Sequence, residues 1–410
     1  MAALTRCIWA WVFCGLLTLA ASAQTFTTLA SFQYDGAYPE YMALIQGSDG
    51  NFYGTTLNGG GLGIGTVFEL TANGDITDLS DFSNSDVRFP YAGVVQGSDG
   101  NFYGTTWQGN IAGTVYQVTP SDGLTTLYTF CSENNCADGG EPFAPLLQGS
   151  PGTFYGTTTI GGSKGYGTVF AITSMGVLTT LHSFHFKDGA VPVGGLILAK
   201  DGSFYGTTLY GGVSGNGAVF KITAAGKLKT LYSFCPQKKC TDGANPYAGL
   251  LQASDGNFYG TTHGGGVGGH GTVFRITASG KLMTLYSFCS KKNCVDGANP
   301  FAGVIQATDG NFYGTTSSGG SKNQGSIFQI TSSGGLTTLH SFCLKKNCVD
   351  GAEPSGGLLQ AASGILYGTT TDGGRHELGT VYSLSLGLAS RTAQRSFPRV
   401  GQHSIKGSQE

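Results

Sequence analysis

Seven copies of Tyr-Gly-Thr-Thr run through the chain, with their tyrosines at Tyr53, Tyr103, Tyr155, Tyr205, Tyr259, Tyr313 and Tyr367. The spacings are 50, 52, 50, 54, 54 and 54 residues, so one unit repeats along nearly the whole sequence. A period near 50 residues is that of a propeller, solenoid or array. Each copy reads as four short strands. Within residues 244–288, the run 244–252 predicts a first strand and Asp255-Gly256 a hairpin turn. Residues 257–262, 272–277 and 282–288 follow as the second, third and fourth strands. Four strands joined by tight turns are the content of one propeller blade.

Counting strand types decides between an open and a closed array. The third strand follows Gly65, Gly113, Gly167, Gly217, Gly271, Gly325 and Gly379, which is seven copies. The fourth ends at Phe82, Phe130, Phe184, Phe234, Phe288 and Phe342, which is six. The missing copy lies at the other end, where residues 26–32 (Phe-Thr-Thr-Leu-Ala-Ser-Phe) match residues 336–342. A solenoid has no reason to begin with the last quarter of a unit. A ring does, because the N-terminal strand completes the last blade and removes a free sheet edge. The expected fold is all-β: a seven-bladed β-propeller over residues 24–387. Its repeated aromatics are read as packing between blades, with Ala-Gly pairs and the motif glycine serving close backbone approach.

Composition agrees. Charged residues are 11% of the chain against the ~25% usual in soluble proteins, and Gly numbers 69 of 410. The formal net charge of −2 gives no warrant for a nucleic-acid partner. Arg6, an apolar run from Ile8 to Ala20 and the small residues Ala21-Ser22-Ala23 read as a signal peptide over 1–23, cleaved after Ala23. That apolar run is too short for a stable membrane span. Residues 388–410 read as a disordered polar tail, and the mature protein as a secreted or periplasmic monomer without membrane insertion.

Eight cysteines follow the leader as Cys131/Cys136, Cys235/Cys240, Cys289/Cys294 and Cys343/Cys348. Each pair falls between the Phe ending a fourth strand and an Asp-Gly, and only where that connection is long. Pairs present or absent together imply a disulfide within each loop, as an oxidising compartment permits. A shared zinc site fits poorly, since the pairs lie on separate blades and lack a regular His partner. No metal site or cofactor is expected. In a propeller these connections and the loops between second and third strands emerge on one face, where binding usually resides. Lys238-Lys239, Lys291-Lys292 and Lys345-Lys346 occupy three successive stapled loops and form a candidate arc for an anionic or polyhydroxylated partner such as an envelope glycan. For catalysis the candidates are His263 and His270, flanking one Gly-rich loop, and His376 and Glu377 in the matching loop of the last blade. His182 and His340 stand where other copies have Tyr, and read as structural variants. Gly161 to Gly167 has the composition of a phosphate loop but leads into a strand, so it fails as one.

The ordered pattern Gly-Ser-Asp-Gly-Asn-Phe-Tyr-Gly-Thr-Thr, Gly-Gly, Gly-Thr-Val-Phe-x-Ile-Thr and Leu-Thr-Thr-Leu-Tyr-Ser-Phe resembles the Gloeobacter/Verrucomicrobia tandem repeat, across about residues 25–387. The resemblance implies an exported bacterial protein and brings no catalytic residues. Some members of that family carry a C-terminal anchor, and the polar tail here departs from them. The Asp-Gly-Asn-Phe-Tyr turn is also similar to turns in NHL-type and streptogramin-lyase-like propellers. The expected function is a binding or scaffold module at the bacterial surface. The alternative is an exported polysaccharide or ester lyase or hydrolase with its site at the axial end.

Overall fold

The computed structural model describes residues 24–33, 36–82, 87–109, 111–121, 123–236 and 239–387. The leader assigned to 1–23, the tail assigned to 388–410 and Lys238 lie outside the described residues. Seven four-stranded antiparallel sheets are arranged as blades, with a two-residue pairing of Gly36–Ala37 and Asn58–Gly59 beside the first. The strand Thr25–Ser31 pairs antiparallel with Thr380–Ser385, from Thr25 opposite Ser385 to Ser31 opposite Thr380. It is therefore the outermost strand of blade 7, and the ring closes as the strand count requires.

Every residue of the repeated motif has a separate task, visible in blade 5. The Tyr259 ring packs on Phe312 of blade 6 with centroids 4.0 Å apart, and its hydroxyl donates to Asp255 Oδ2 in the hairpin turn at 2.9 Å. Gly260 lies opposite Phe274 on the third strand, and a Cβ there would sit 2.6 Å from that ring. The glycine thus makes room for an aromatic within its own blade, rather than for backbone at the axis as the sequence suggested. The Thr261 hydroxyl donates to the Ala302 carbonyl of blade 6 at 2.9 Å, and the Thr262 hydroxyl pairs with that of Thr272 at 2.9 Å. Seven buried apolar clusters result, one between each pair of neighbouring blades. Burial of each Phe contributes roughly 1.5–3 kcal/mol.

The joint between blades 7 and 1 uses the same parts. Tyr367 packs on Phe52 at 4.3 Å, and the Ala362 N–H donates to Gln46 Oε1 as Ser254 N–H does to Gln306. Pro39 lies against Gly379 as Pro300 lies against Gly271. One contact is missing there: the buried Thr369 hydroxyl has no partner among the described residues, whereas Thr261 and Thr315 each reach the next blade.

The first strand is shorter than expected. Its ladder covers only Leu251–Gln252 in blade 5, and two residues in five other blades. Pro246 has no N–H to donate, and Asn245 before it adopts φ 56°, so regular pairing starts only beyond them. Nearer the axis the backbones touch: a Cβ on Gly249 would lie 2.4 Å from the Gly195 carbonyl oxygen. Here the Ala-Gly pairs do serve close approach.

Candidate functional site

The stapled and Gly-rich loops share one face. The backbone N–H groups of Gly162, Gly266, Gly320 and Gly374 donate to the carbonyls of Cys136, Cys240, Cys294 and Cys348 at 2.8–2.9 Å. The four cysteine pairs are disulfides with Cα atoms 4.0–4.1 Å apart. Such bonds belong to an oxidising compartment. Among the described residues, no helix is long and apolar enough to cross a membrane. Lys239, Lys291, Lys292, Lys345 and Lys346 are exposed on these loops and pair with no carboxylate among the described residues.

Beneath each stapled loop a carboxylate acts as its anchor. Asp296 is fully buried and accepts hydrogen bonds from the Tyr286 hydroxyl (2.7 Å), the Ser290 N–H (2.9 Å) and hydroxyl (2.9 Å), and the Lys291 N–H (3.2 Å). Burial pushes this carboxyl up, but those donors outweigh it and hold it below the ordinary aspartate range. Asp138 repeats the arrangement with Tyr128 and Ser132. His182 and His340 take the Tyr position and face Asp188 and Asp350 at 3.1 and 3.7 Å. Both are variants of the Tyr–Asp pair in position, as expected from the sequence.

At the axis the residue after the repeated proline is aromatic in five blades: Tyr41, Tyr91, Phe143, Tyr247 and Phe301, with Val193 and Ser355 in the others. Blade 1 differs because Glu40 is inserted between Pro39 and Tyr41. The extra residue leaves Tyr41 at φ 51°, with its N–H donating to Ser355 Oγ at 3.1 Å. Its ring lies 6.0, 5.4, 6.2 and 5.2 Å from those of Tyr91, Phe143, Tyr247 and Phe301, all five being partly exposed. The cluster borders an axial cavity of ≈ 400 Å³, otherwise lined by small and aliphatic residues such as Gly249, Ile197 and Ile305.

The mouth is held rigidly. The residue before each repeated proline has positive φ: Tyr38 (56°), Phe89 (58°), Glu141 (52°), Val191 (57°), Asn245 (56°), Asn299 (54°) and Glu353 (54°). This is costly for non-glycine residues, most of all for β-branched Val191, and disfavoured before proline. Each is secured on both sides by backbone bonds. Asn245 N–H donates to the Asn216 carbonyl (2.8 Å), and the Asn245 carbonyl accepts from His263 N–H (3.0 Å).

Polar groups rim the aromatics. The Trp107 indole donates to Glu141 Oε2 at 3.2 Å. Between blades 7 and 1, burial and then the charges of Asp372 and Glu353 raise the Glu40 carboxyl above its usual range. Burial and then Asp372 do the same to Glu353, and burial and then Glu377 to Asp372. The sequence candidates separate. His263 reaches the mouth, stacked on Phe301 at 4.3 Å, where burial lowers its pKa against a hydrogen bond with the Pro300 backbone. His270 instead faces Asn299 Oδ1 at 3.4 Å and lies beside the Cys289–Cys294 bond. His376 lies farther out, with Arg375 and Lys345 along a polar groove of ≈ 480 Å³ beside Thr28 and Ser31. Glu377 acts on the rim through Asp372. The aromatic mouth itself escaped sequence reading, although an aromatic just beyond the repeated proline in five of the seven blades was its signal.

These features define a propeller repeat protein with variable loops and an aromatic mouth on one face. The chain belongs to the Gloeobacter/Verrucomicrobia repeat family, whose model matches residues 15–136, 43–240 and 236–405. No curated protein matches it in sequence. Among solved structures, puromycin hydrolase is similar over 83% of this chain and 53% of its own, at 12% identity and TM-score 0.49. A Bacteroides fragilis protein provisionally assigned as a 6-phosphogluconolactonase is similar over 80% of this chain and 92% of its own, at 18% identity and TM-score 0.45. A Dyadobacter fermentans protein of unknown function gives 88% and 98%, at 11% identity and TM-score 0.43. At these values the likeness concerns the fold alone.

Proposed function

We propose that this is an exported glycan-binding module of the bacterial surface, with its contact at the axial mouth. The observation that carries this is the convergence of five partly exposed rings, from five blades, on one axis. Flat aromatic faces stack on the apolar faces of sugar rings, and the surrounding amides and carboxylates hydrogen-bond hydroxyls. Rigid presentation lowers the ordering cost of binding. The lysines of the stapled loops before blades 5, 6 and 7 supply an outer arc for acidic substituents of the same polymer. A binding screen of the mature protein against neutral and acidic envelope polysaccharides tests this. Tyr41→Ala with Tyr247→Ala is expected to abolish capture of both classes, and Lys→Glu changes at positions 291, 292, 345 and 346 only of the acidic class. Binding unaffected by the tyrosine pair, or no binding to any glycan, would overturn the proposal.

The raised Glu40 and Glu353 carboxyls favour one second reading, a glycoside hydrolase at the same mouth. Such enzymes work through a pair of carboxyl groups, one of them a general acid whose pKa its surroundings raise. Release of reducing ends from a captured polysaccharide, abolished by Glu40→Gln with capture intact, would establish it. Capture without release would exclude it.

A further inference from the structure

The connection before blade 4 is short and has no cysteine: only His185-Phe186-Lys187 separates Phe184 from Asp188. From the outer strand His182 brings Nε2 within 3.1 Å of Asp188 Oδ2. From the loop His185 brings Nδ1 to 3.8 Å from that same oxygen. The backbone fixes the geometry, with His185 N–H donating to Asp188 Oδ1 at 2.7 Å and Asp188 N–H to the His185 carbonyl at 2.8 Å. The three donor atoms all lie within 4.8 Å of one another.

We propose that His182, His185 and Asp188 form a binding site for a divalent transition-metal ion of the zinc class. Ligand bonds of about 2.0–2.2 Å to a tetrahedral ion set neighbouring donors roughly 3.3 Å apart, and the observed 3.1 and 3.8 Å bracket that spacing. Two imidazoles with one carboxylate select such an ion over calcium or magnesium, which prefer all-oxygen sites. A hydrogen-bonded substitute for the Tyr–Asp pair explains His182 alone. It leaves His185 unexplained, whose side chain is 55% exposed and free to turn to solvent, yet faces the same oxygen. Asp350 supplies the contrast: besides the loop N–H groups of Leu344 and Lys345 it faces one histidine, His340, in a loop already closed by Cys343–Cys348. The ion would tie the outer strand of blade 3 to the start of blade 4, as the disulfides secure the long connections, and keep a coordination position open to solvent.

The test is calorimetric titration of EDTA-stripped mature protein with ZnCl2, paired with thermal melts. One ion per chain is expected, with a rise in Tm on loading. His182→Tyr restores the residue used in other blades, so it deletes a ligand while keeping the fold, and His185→Ala removes an exposed one. Each should weaken uptake by at least about tenfold, since loss of mere supporting partners already costs that much. His376→Ala should leave it unchanged. Absence of stoichiometric uptake, or uptake insensitive to either ligand variant in melts that show folded protein, would overturn the site.

Discussion

Between Phe288 and Asp296 the chain has seven residues, a disulfide and a 3-10 turn, whereas between Phe184 and Asp188 it has three residues and neither. Both connections nonetheless end on an aspartate that collects a backbone N–H from the loop and a ring from the outer strand. The carboxylate is the constant and the staple is the addition. A longer loop carries more chain entropy and gains a covalent tie, while the shorter one is already limited by its length. The connection before blade 7 lies between them, with a disulfide above and a histidine below.

If the anchor outranks the staple, Asp296→Ala should be the most damaging change in these loops. It strands four donors beneath the surface and should cost about 3 kcal/mol or more. Asp188→Ala should cost less, because its side chain is 27% exposed and water can replace it. Denaturant midpoints of the two variants check the order; equal losses would end the distinction.

Next in size is the acid response at the intermediate connection. Burial lowers His340 to about 4, overriding the upward pull of Asp350 and assisted by Lys345. The unfolded chain takes up this proton near pH 6.5 and the folded chain only near 4. The stability in question is therefore complete above pH 6.5 and is lost as pH falls towards 4, by on the order of 3 kcal/mol. His340 also stacks on Phe26 of the closing strand at 3.7 Å, so acid should loosen the ring at that joint first. His340→Tyr should flatten this part of the stability–pH curve, and hydrogen exchange of residues 25–31 should report where the loosening occurs.

Removing the staple alone, as Cys289→Ser with Cys294→Ser, should cost at most about 2 kcal/mol, since the closed loop is small. A larger loss than that of Asp296→Ala would reverse the ranking of anchor and staple. Smallest of all should be His182→Tyr in metal-free buffer, within about 0.5 kcal/mol, because it restores the ring used in blades 2, 4 and 5. In zinc the same variant should fall behind the wild type.

The sequence revealed what repeats and what is counted. The displaced fourth strand implied closure, and the paired presence of cysteines implied the staples. Periodicity could not show how one inserted residue acts. Glu40 alters a single spacing, yet it leaves Tyr41 in a left-handed conformation with its ring among four others. In the sequence the anchoring aspartates only mark where each long connection ends, and the burial of Asp138, Asp296 and Asp350 is a tertiary fact. His182 and His185 differ in kind along the chain, one in a strand and one in a loop, so only folding shows that both face Asp188.

Ser385 and Thr25 occupy the two positions that a three-residue turn, Ala278 to Gly280, joins in blade 5. A similar turn placed between them would make all seven blades continuous hairpins and leave a circle of backbone without ends. Since every joint uses the same proline and tyrosine contacts, and all but the joint of blades 3 and 4 the same glutamine contact, the ring could then be cut at any other third-to-fourth turn. The order in which this polypeptide is written is one of seven nearly interchangeable orders, and the structure records the circle, with the starting point a matter of genetic bookkeeping.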